Sequence, residues 1–321
     1  MSYVLAGSLE ALRARARLLA RIRAFFAARG VLEVETPALS SAGVSDLALD
    51  SVLAAARSLG PTPLYLHTSP EYAMKRLLAG GSGDIYQICR VFRDDELGRW
   101  HQPEFTLLEW YRIGFDDARL MDEVEALLRD VLQDGGTTWR SERVRYSDAF
   151  ARALGVDAAA SSAAVAASLA ERGVDVPQGL AHDALLDLAF ASVVVPSFAA
   201  DTLTFVCDYP ASQAALARLK LGTPTVAARF EVFARGIELA NGFHELTDAA
   251  EQRRRFDSEI VARRRLARRI PPLDEAFLDA LARGLPDCAG VALGFDRLVA
   301  LALGADGVAA AMAFVHRPPR D

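Results

Sequence analysis

At 321 residues, with 52% apolar and 24% charged side chains, the chain suits a soluble globular protein of one large or two modest domains. No apolar run is long enough to span a bilayer and the N-terminus carries no signal-peptide pattern, so no membrane partner is expected. Cys89, Cys207 and Cys288 stand apart without CxxC spacing, the five histidines are not paired at ligand spacing, and the net charge is −6. These features predict a reducing, cytoplasmic setting, no transition-metal centre and no global signature of a nucleic-acid binder.

Leu9 to Arg29 reads as an amphipathic helix with Leu12, Leu19, Ile22 and Phe26 on one stripe and Gly30 as its stop. Val31 to Thr36 alternates as a strand, Leu32 and Val34 opposite Glu33 and Glu35, and ends at Pro37. In HTSPEYAMKRLLAGG a helix starts with Ser69 as N-cap, Pro70 in the first turn and Glu71 just inside. Glu71 there either complements the helix dipole or faces a bound ammonium group, and the residue alone favours the dipole.

Ile85 to Arg112, IYQICRVFRDDELGRWHQPEFTLLEWYR, reads as two strands, roughly 85–93 and 103–112, around a polar loop. Arg93 shares a face with Gln87, Cys89 and Val91. Period two puts Phe105, Leu107, Glu109 and Tyr111 on one face. An aromatic, an acid and a phenol in line suit a ligand floor, the ring holding a flat group and the polar pair an amine. Arg99 and His101 in the loop are good phosphate partners.

Residues about 135–200 are alanine-rich, with helices expected in DAAASSAAVAASLAERG and AHDALLDLAFASVVV, and Phe205 to Pro210 reads as a strand. In RFEVFARGIELANGFHELTD, Arg229 to Asp248, the acids Glu231, Glu238 and Glu245 recur every seven residues. The composition favours two strands over a helix. Seven is an odd step on a flat strand, so a turn or bulge near Gly236 is needed to bring all three acids to one face. This stretch alone admits both solvated acids on an outer face and a site whose carboxylates are neutralised by cations. Arg253 to Arg269 contains eight arginines and reads as a solvated helix face. DCAGVALGFDRLVALALGA is strand, glycine turn, helix, with Gly290 and Gly294 allowing a ligand near the backbone. Asp296 and Arg297 open that helix, and a cation at a helix N-terminus is better explained by a bound phosphate or a stacked base than by the dipole.

Together these runs resemble the catalytic core of class II aminoacyl-tRNA synthetases of the lysyl type. The first helix and the strand ending at Pro37 resemble motif 1, FRDDELGRWHQPEF motif 2, ALGFDRL motif 3, and FEVFARGIELANGFHELTD the lysine-specific segment between them. The chain reaches motif 1 almost at once, without an anticodon-binding OB-fold before it. TSPEYAMKRLL, PEFTLLEWYR, GIELANGFHELTD and LPDCAGVALG are similar to the elongation factor P lysine ligase family. The resemblance implies an α+β fold, an antiparallel β-sheet flanked by helices, in a single catalytic domain over 1–321 with a helical insertion at about 135–200. It also implies a homodimer. The implied activity is an ATP-dependent, AMP-forming ligase that adenylates (R)-β-lysine or lysine and transfers it to a lysine of elongation factor P, with tRNA not expected as acceptor. A truncated lysyl-tRNA synthetase-like enzyme charging tRNA or another acceptor is the second reading. A non-catalytic synthetase-like regulator is the third, and the presence of Arg93, Arg297, Glu231 and Glu238 ranks it last.

Residue by residue, the resemblance assigns Arg93 to the α-phosphate and the reacting carboxylate, and Asp94 and Asp95 to the adenine side of the motif 2 loop. It places His101 near the outer phosphates and Gln102, Leu239 and Gly294 beside ATP. Phe105 and Arg297 would sandwich the adenine, and Glu231 and Glu238 would hold Mg²⁺ on the triphosphate. Glu245 and Tyr111, helped by Glu109, would bind the distal ammonium, with Ser69, Pro70, Glu71 and Asn241 around the other amino and carboxylate groups. Ala292 stands where synthetases tend to have Gly, and its methyl would shape the pocket against α-lysine. Catalysis is then expected to be positioning plus electrostatics, with Arg93 and Arg297 as the catalytic pair.

Overall fold

Alternation along one strand sorts the two sides of the molecule: in LLEWY, Leu108 and Trp110 are buried in the main core, while Leu107, Glu109 and Tyr111 face a cavity. The computed structural model describes residues 3–133 and 136–317. Its strands begin with Tyr3–Leu5 (β1), Leu32–Glu33 (β2), Leu39–Ser40 (β3), Leu53–Ala54 (β4), Leu64–Leu66 (β5), Ile85–Phe92 (β6) and Glu104–Ile113 (β7). They continue with Arg140–Arg145 (β8), Thr202–Pro210 (β9), Leu219–Lys220 (β10), Val226–Ala234 (β11), Ile237–His244 (β12), Cys288–Gly294 (β13) and Phe314–His316 (β14). The helices are Leu9–Ala27 (α1), Glu71–Ala79 (α2), Asp117–Leu132 (α3), Tyr146–Leu154 (α4) and Ser162–Glu171 (α5). His182–Ala189 (α6), Ala249–Arg265 (α7), Glu275–Gly284 (α8) and Phe295–Ala302 (α9) complete the set.

Among the described residues the main sheet has nine strands, ordered β2-β6-β7-β13-β12-β11-β9-β8 with β10 beside β11. Pairing is antiparallel throughout except at the two ends, β2 with β6 and β8 with β9. An antiparallel sheet flanked by helices is the expected α+β arrangement. Helices α1, α3 and α9 cover one face, where Phe26 stacks on Tyr86 at 4.4 Å and meets Trp110 at 5.3 Å between ring centroids. Ser8 caps α1, accepting from the Ala11 N–H at 3.1 Å, and the turn after the helix closes at Gly30, whose φ of +67° suits glycine. The buried stripe of α1 is Ala11, Ala14, Leu18, Ile22, Phe25 and Phe26. The expected Leu12 and Leu19 are only half-buried, at its margin. Among the described residues no helix is long and apolar enough to cross a membrane.

Three expectations need correction. The strand after α1 enters the sheet for only two residues, with one further bond from the Val34 N–H to the Tyr86 carbonyl at 2.9 Å. There Val31 is buried and Leu32 exposed, because Val31 closes the end of α1. The alanine-rich segment is not helical throughout. It opens with β8, an edge strand of the main sheet in which Val144 is the single apolar residue of RSERVR, and α4 to α6 follow. The start of that segment near 135 lies outside the described residues.

The arginine-rich stretch, read as a solvated face, is in part a clamp. Arg263 is buried and donates to the Asp50 carboxylate and to the carbonyls of Asp46, Leu49 and Arg269, while Arg268 and Arg269 bond the carbonyls of Leu47 and Ser51. These bonds fix the 45–51 loop, part of which lines the cavity. Arg263→Ala is expected to destabilise the fold by about 3 kcal/mol in chemical denaturation, because it strands several acceptors at once. The exposed neighbour Arg264→Ala should stay within about 0.5 kcal/mol of the parent. Equal effects of the two would remove the clamp.

Candidate active site

Strand register assembles the site as rows. Gln87, Glu109, Ala292, Asn241 and Glu231 lie opposite one another across β6, β7, β13, β12 and β11. Two residues along, the row is Ile85, Tyr111, Gly290, Phe243 and Arg229. The cavity above them measures about 680 Å³. Ser69, Pro70, Glu71, Arg93, His101, Gln102, Phe105, Glu238, Leu239, Glu245, Gly294 and Arg297 also line it.

The hairpin solves its parity problem twice over. Arg235 and Gly236 turn the chain with φ of +51° and +73°. Register then shifts between Val232, opposite Ala240, and Phe233, opposite Glu238, leaving Leu239 as the surplus residue on β12. Leu239 and Ala240 both enter the core, and Glu238 and Asn241 consequently both reach the cavity.

One end of the cavity is acidic. Glu109 and Glu245 are buried, and the Tyr111 hydroxyl donates to Glu109 Oε1 at 2.7 Å, while Glu109 Oε2 is buried without a partner. Burial, then the charge of Glu71, pushes the Glu109 carboxyl up to about 8. Burial likewise pushes Glu245 up to about 8, against the opposing pull of Lys75. Lys75, absent from the sequence-based assignment, is itself buried, with its ammonium 2.6 Å from Glu71 Oε1 and 2.6 Å from Glu245 Oε2. Burial disfavours its charge, but Glu245 and Glu71 outweigh this and hold the ammonium above its ordinary range. The signal in the sequence was the i,i+4 spacing of Glu71 and Lys75. Ser69 is not the N-cap, which is Pro70, but its hydroxyl accepts from the Glu71 N–H at 3.1 Å.

The other end carries cations. The Arg93 guanidinium lies over the Phe105 ring at 5.0 Å and approaches Glu96 at 3.6 Å. Arg297 donates to the Glu238 carbonyl at 2.9 Å and to its carboxylate at 3.4 Å, and lies 2.8 Å from His101 Nε2. Because guanidinium only donates, His101 Nε2 accepts, and the ring is neutral with its remaining N–H on Nδ1. Burial, reinforced by Arg297, lowers the His101 pKa accordingly. His101 would therefore meet a phosphate as a hydrogen-bond donor and not as a cation. Glu231 is half-buried, accepting from Arg229 on one oxygen and from the Tyr209 hydroxyl at 2.7 Å on the other. Arg229 and Tyr209 were not anticipated, although Arg229 precedes Glu231 by two residues and so shares its face.

Three residues fall elsewhere than expected. Asp94 and Asp95 are exposed and do not line the cavity. The Asp94 N–H is tied to the Asp50 carbonyl at 2.8 Å, Asp95 turns the chain at φ +62°, and Glu96 takes the inward position. Arg99 points away from the cavity and pairs with Asp306 at the surface. Gly290 also has a different reason from the one anticipated. A Cβ there would lie 2.2 Å from the Tyr111 ring and 2.6 Å from Glu245 Oε1, so it makes room for the pocket's own side chains.

Residues 4–318 match the family described as tRNA synthetases class II (D, K and N). A Vibrio cholerae serotype O1 protein named elongation factor P–(R)-beta-lysine ligase is 48% identical over 316 residues, covering 96% of this chain and 95% of its own. Its namesake from Salmonella dublin is 49% identical over 319 residues, with the same coverage. The chain belongs to the class II tRNA synthetase family, among the elongation factor P ligases. In this family member the acidic and cationic ends share one sheet face, so a zwitterionic amino acid and a nucleotide can lie head to head across β7, β13 and β12.

Proposed function

We propose that the protein activates a lysine-type diamino acid, (R)-β-lysine or lysine, with ATP and transfers it to a lysine ε-amine of elongation factor P. The observation that carries this reading is the partnerless Glu109 Oε2, buried at the acidic end of a cavity whose far end presents Arg93 and Arg297. Such an acceptor calls for a cation, and the arginines call for phosphates. The named relatives supply donor and acceptor.

The substrate carboxylate is already ionised at neutral pH and needs no base. Its oxygen attacks the α-phosphorus of ATP, and the bond to pyrophosphate breaks. Arg93 meets the carboxylate and the α-phosphate, Phe105 and Arg297 flank the adenine, and Gln102, Leu239 and Gly294 complete its wall. Glu245, Tyr111 and Glu109 take the distal ammonium, with Ser69, Pro70, Glu71 and Asn241 around the other groups. Among the described residues no cluster of three or more His, Cys, Asp or Glu could hold a metal unaided. Glu231 and Glu238 nonetheless fit Mg²⁺, which typically takes one or two carboxylates together with substrate phosphates. Bound there, the ion would neutralise triphosphate charge, with Arg229 and Tyr209 orienting Glu231. In the second step a neutral lysine ε-amine attacks the acyl carbonyl, the bond from the acyl carbon to the phosphate oxygen breaks, and an amide forms as AMP departs and the nitrogen gives up one proton. The methyl of Ala292, between Glu109 and Asn241 in the row, favours the β-isomer. A cytoplasmic homodimer completes the reading, supported by exposed Leu9 and Leu32 on the elements resembling motif 1.

Mass spectrometry of elongation factor P incubated with the protein, ATP and each lysine isomer tests this. One lysyl unit on one side chain is expected, with norleucine inert. Charging of tRNA with no change in elongation factor P would replace the acceptor, and norleucine accepted as well as lysine would remove the amine pocket.

A further inference from the structure

The acidic end contains a charge that the guest does not bring. Lys75 contributes no wall to the cavity, whereas Glu71, Glu109 and Glu245 all do. Its ammonium reaches Glu71 and Glu245 from the α2 side, at 2.6 Å from each. Phe277 of α8 closes it in, with the ring centroid 5.9 Å from Nζ. Around this group stand Glu71 on its own helix, Glu245 after β12, Glu109 and Tyr111 on β7, and Cys288 at the head of β13. Arg218 stands behind Glu245, donating to its backbone carbonyl at 3.1 Å, and Arg76 and Arg229 are further cations on the cavity wall.

We infer that Lys75 is a positioning and specificity-determining residue: a fixed counter-charge that leaves the three-carboxylate pocket matched to a guest with two ammonium groups. With all three carboxylates ionised and Lys75 charged, the pocket carries two net negative charges. A diammonium guest cancels them; an amino acid with one ammonium leaves one buried carboxylate unmatched, which is costly. Lys75 lies behind the acids, so it is not a stand-in that the substrate displaces. It holds Glu71 and Glu245 in place while they bind. This inference rests on the proposed diamino-acid chemistry and adds the residue that sets its charge count.

Removing the counter-charge should make the acids harder to ionise. Lys75 opposes the upward shift of both Glu245 and Glu109. The acidic limb of kcat/KM for lysine, which reports the free enzyme, is therefore expected near pH 8 in the parent and further alkaline in Lys75→Met. At neutral pH Lys75→Met should raise KM for the diamino acid about tenfold or more, the cost of roughly one pKa unit, with KM for ATP unchanged. Lys75→Arg should restore the limb. An equal loss at every pH, with the limb unmoved, would reduce Lys75 to packing. Calorimetry of lysine binding to the unmutated protein, in two buffers of different ionisation heat, keeps the test open should the variants fail to fold. Proton release near pH 7 is expected as guest binding ionises the raised carboxyls, and binding without release overturns the charge-matching argument. Absence of any binding by lysine or β-lysine would instead strike the diamino-acid reading itself.

Discussion

Arg93→Ala is expected to lower ATP–pyrophosphate exchange by about 10²–10³-fold, the usual loss when one preorganised donor to developing charge is removed. The side chain sits at the end of β6, where its recorded protein partners are distant: the Thr68 carbonyl at 3.4 Å and Glu96 at 3.6 Å. A guanidinium has five N–H donors, and so few and such long contacts leave most of them for the cavity. Folding should not suffer, because the group is partly exposed and supports no packed layer. The loss should fall on kcat, since the interaction matures as the α-phosphorus is attacked. Exchange within a few-fold of the parent would remove Arg93 from the chemistry.

Gly290→Ala is expected to have the next largest effect, on the opposite end of the cavity. The added methyl would lie 2.2 Å from a Tyr111 ring carbon and 2.6 Å from Glu245 Oε1, both members of the proposed amine pocket. Neither can yield freely, because Tyr111 is buried and bonded to Glu109 and Glu245 is held by Lys75. Overpacking of this kind typically costs about 1–3 kcal/mol of stability. Displacement of two proposed ammonium ligands should raise KM for lysine by about 10²-fold, in keeping with the cost of mispositioning a binding group. KM for ATP should hold, because Gly294, the proposed ATP contact on this strand, stands four residues further along β13. A parallel rise in both constants would mean that the sheet itself has shifted.

The sequence made much of this legible because sheet sites are written in alternation. Phe105, Leu107, Glu109 and Tyr111 could be placed on one face from period two alone, and the acid in that series was already out of place in a core. The hairpin acids were legible only up to a condition, a parity reset near Gly236, which the turn and the surplus Leu239 supply. What stayed hidden were partners that sequence distance conceals. The clamp from Arg263 to Asp50 spans 213 residues, and Lys75 meets Glu245 only because α2 packs beside the end of β12. Composition pointed to solvent for the arginine, since lysine and arginine are seldom buried without a partner, and nothing singled out Lys75. The edge strand β8 was missed for a related reason: it keeps its place by backbone pairing to β9, with one apolar side chain in six.

The surplus residue on β12 has a bearing on how such a site can vary. On β12 the proposed nucleotide ligand Glu238 lies on the hairpin tip side of Leu239 and the proposed amino-acid ligand Asn241 beyond it; one residue keeps the two in phase. Loop length at Arg235–Gly236 can drift without dislodging either half, because pairing resumes on the same register below it. Ironing out the bulge with Leu239 still in place would instead turn Glu238 into the apolar layer while Asn241 kept its place in the cavity, parting the two proposed half-sites.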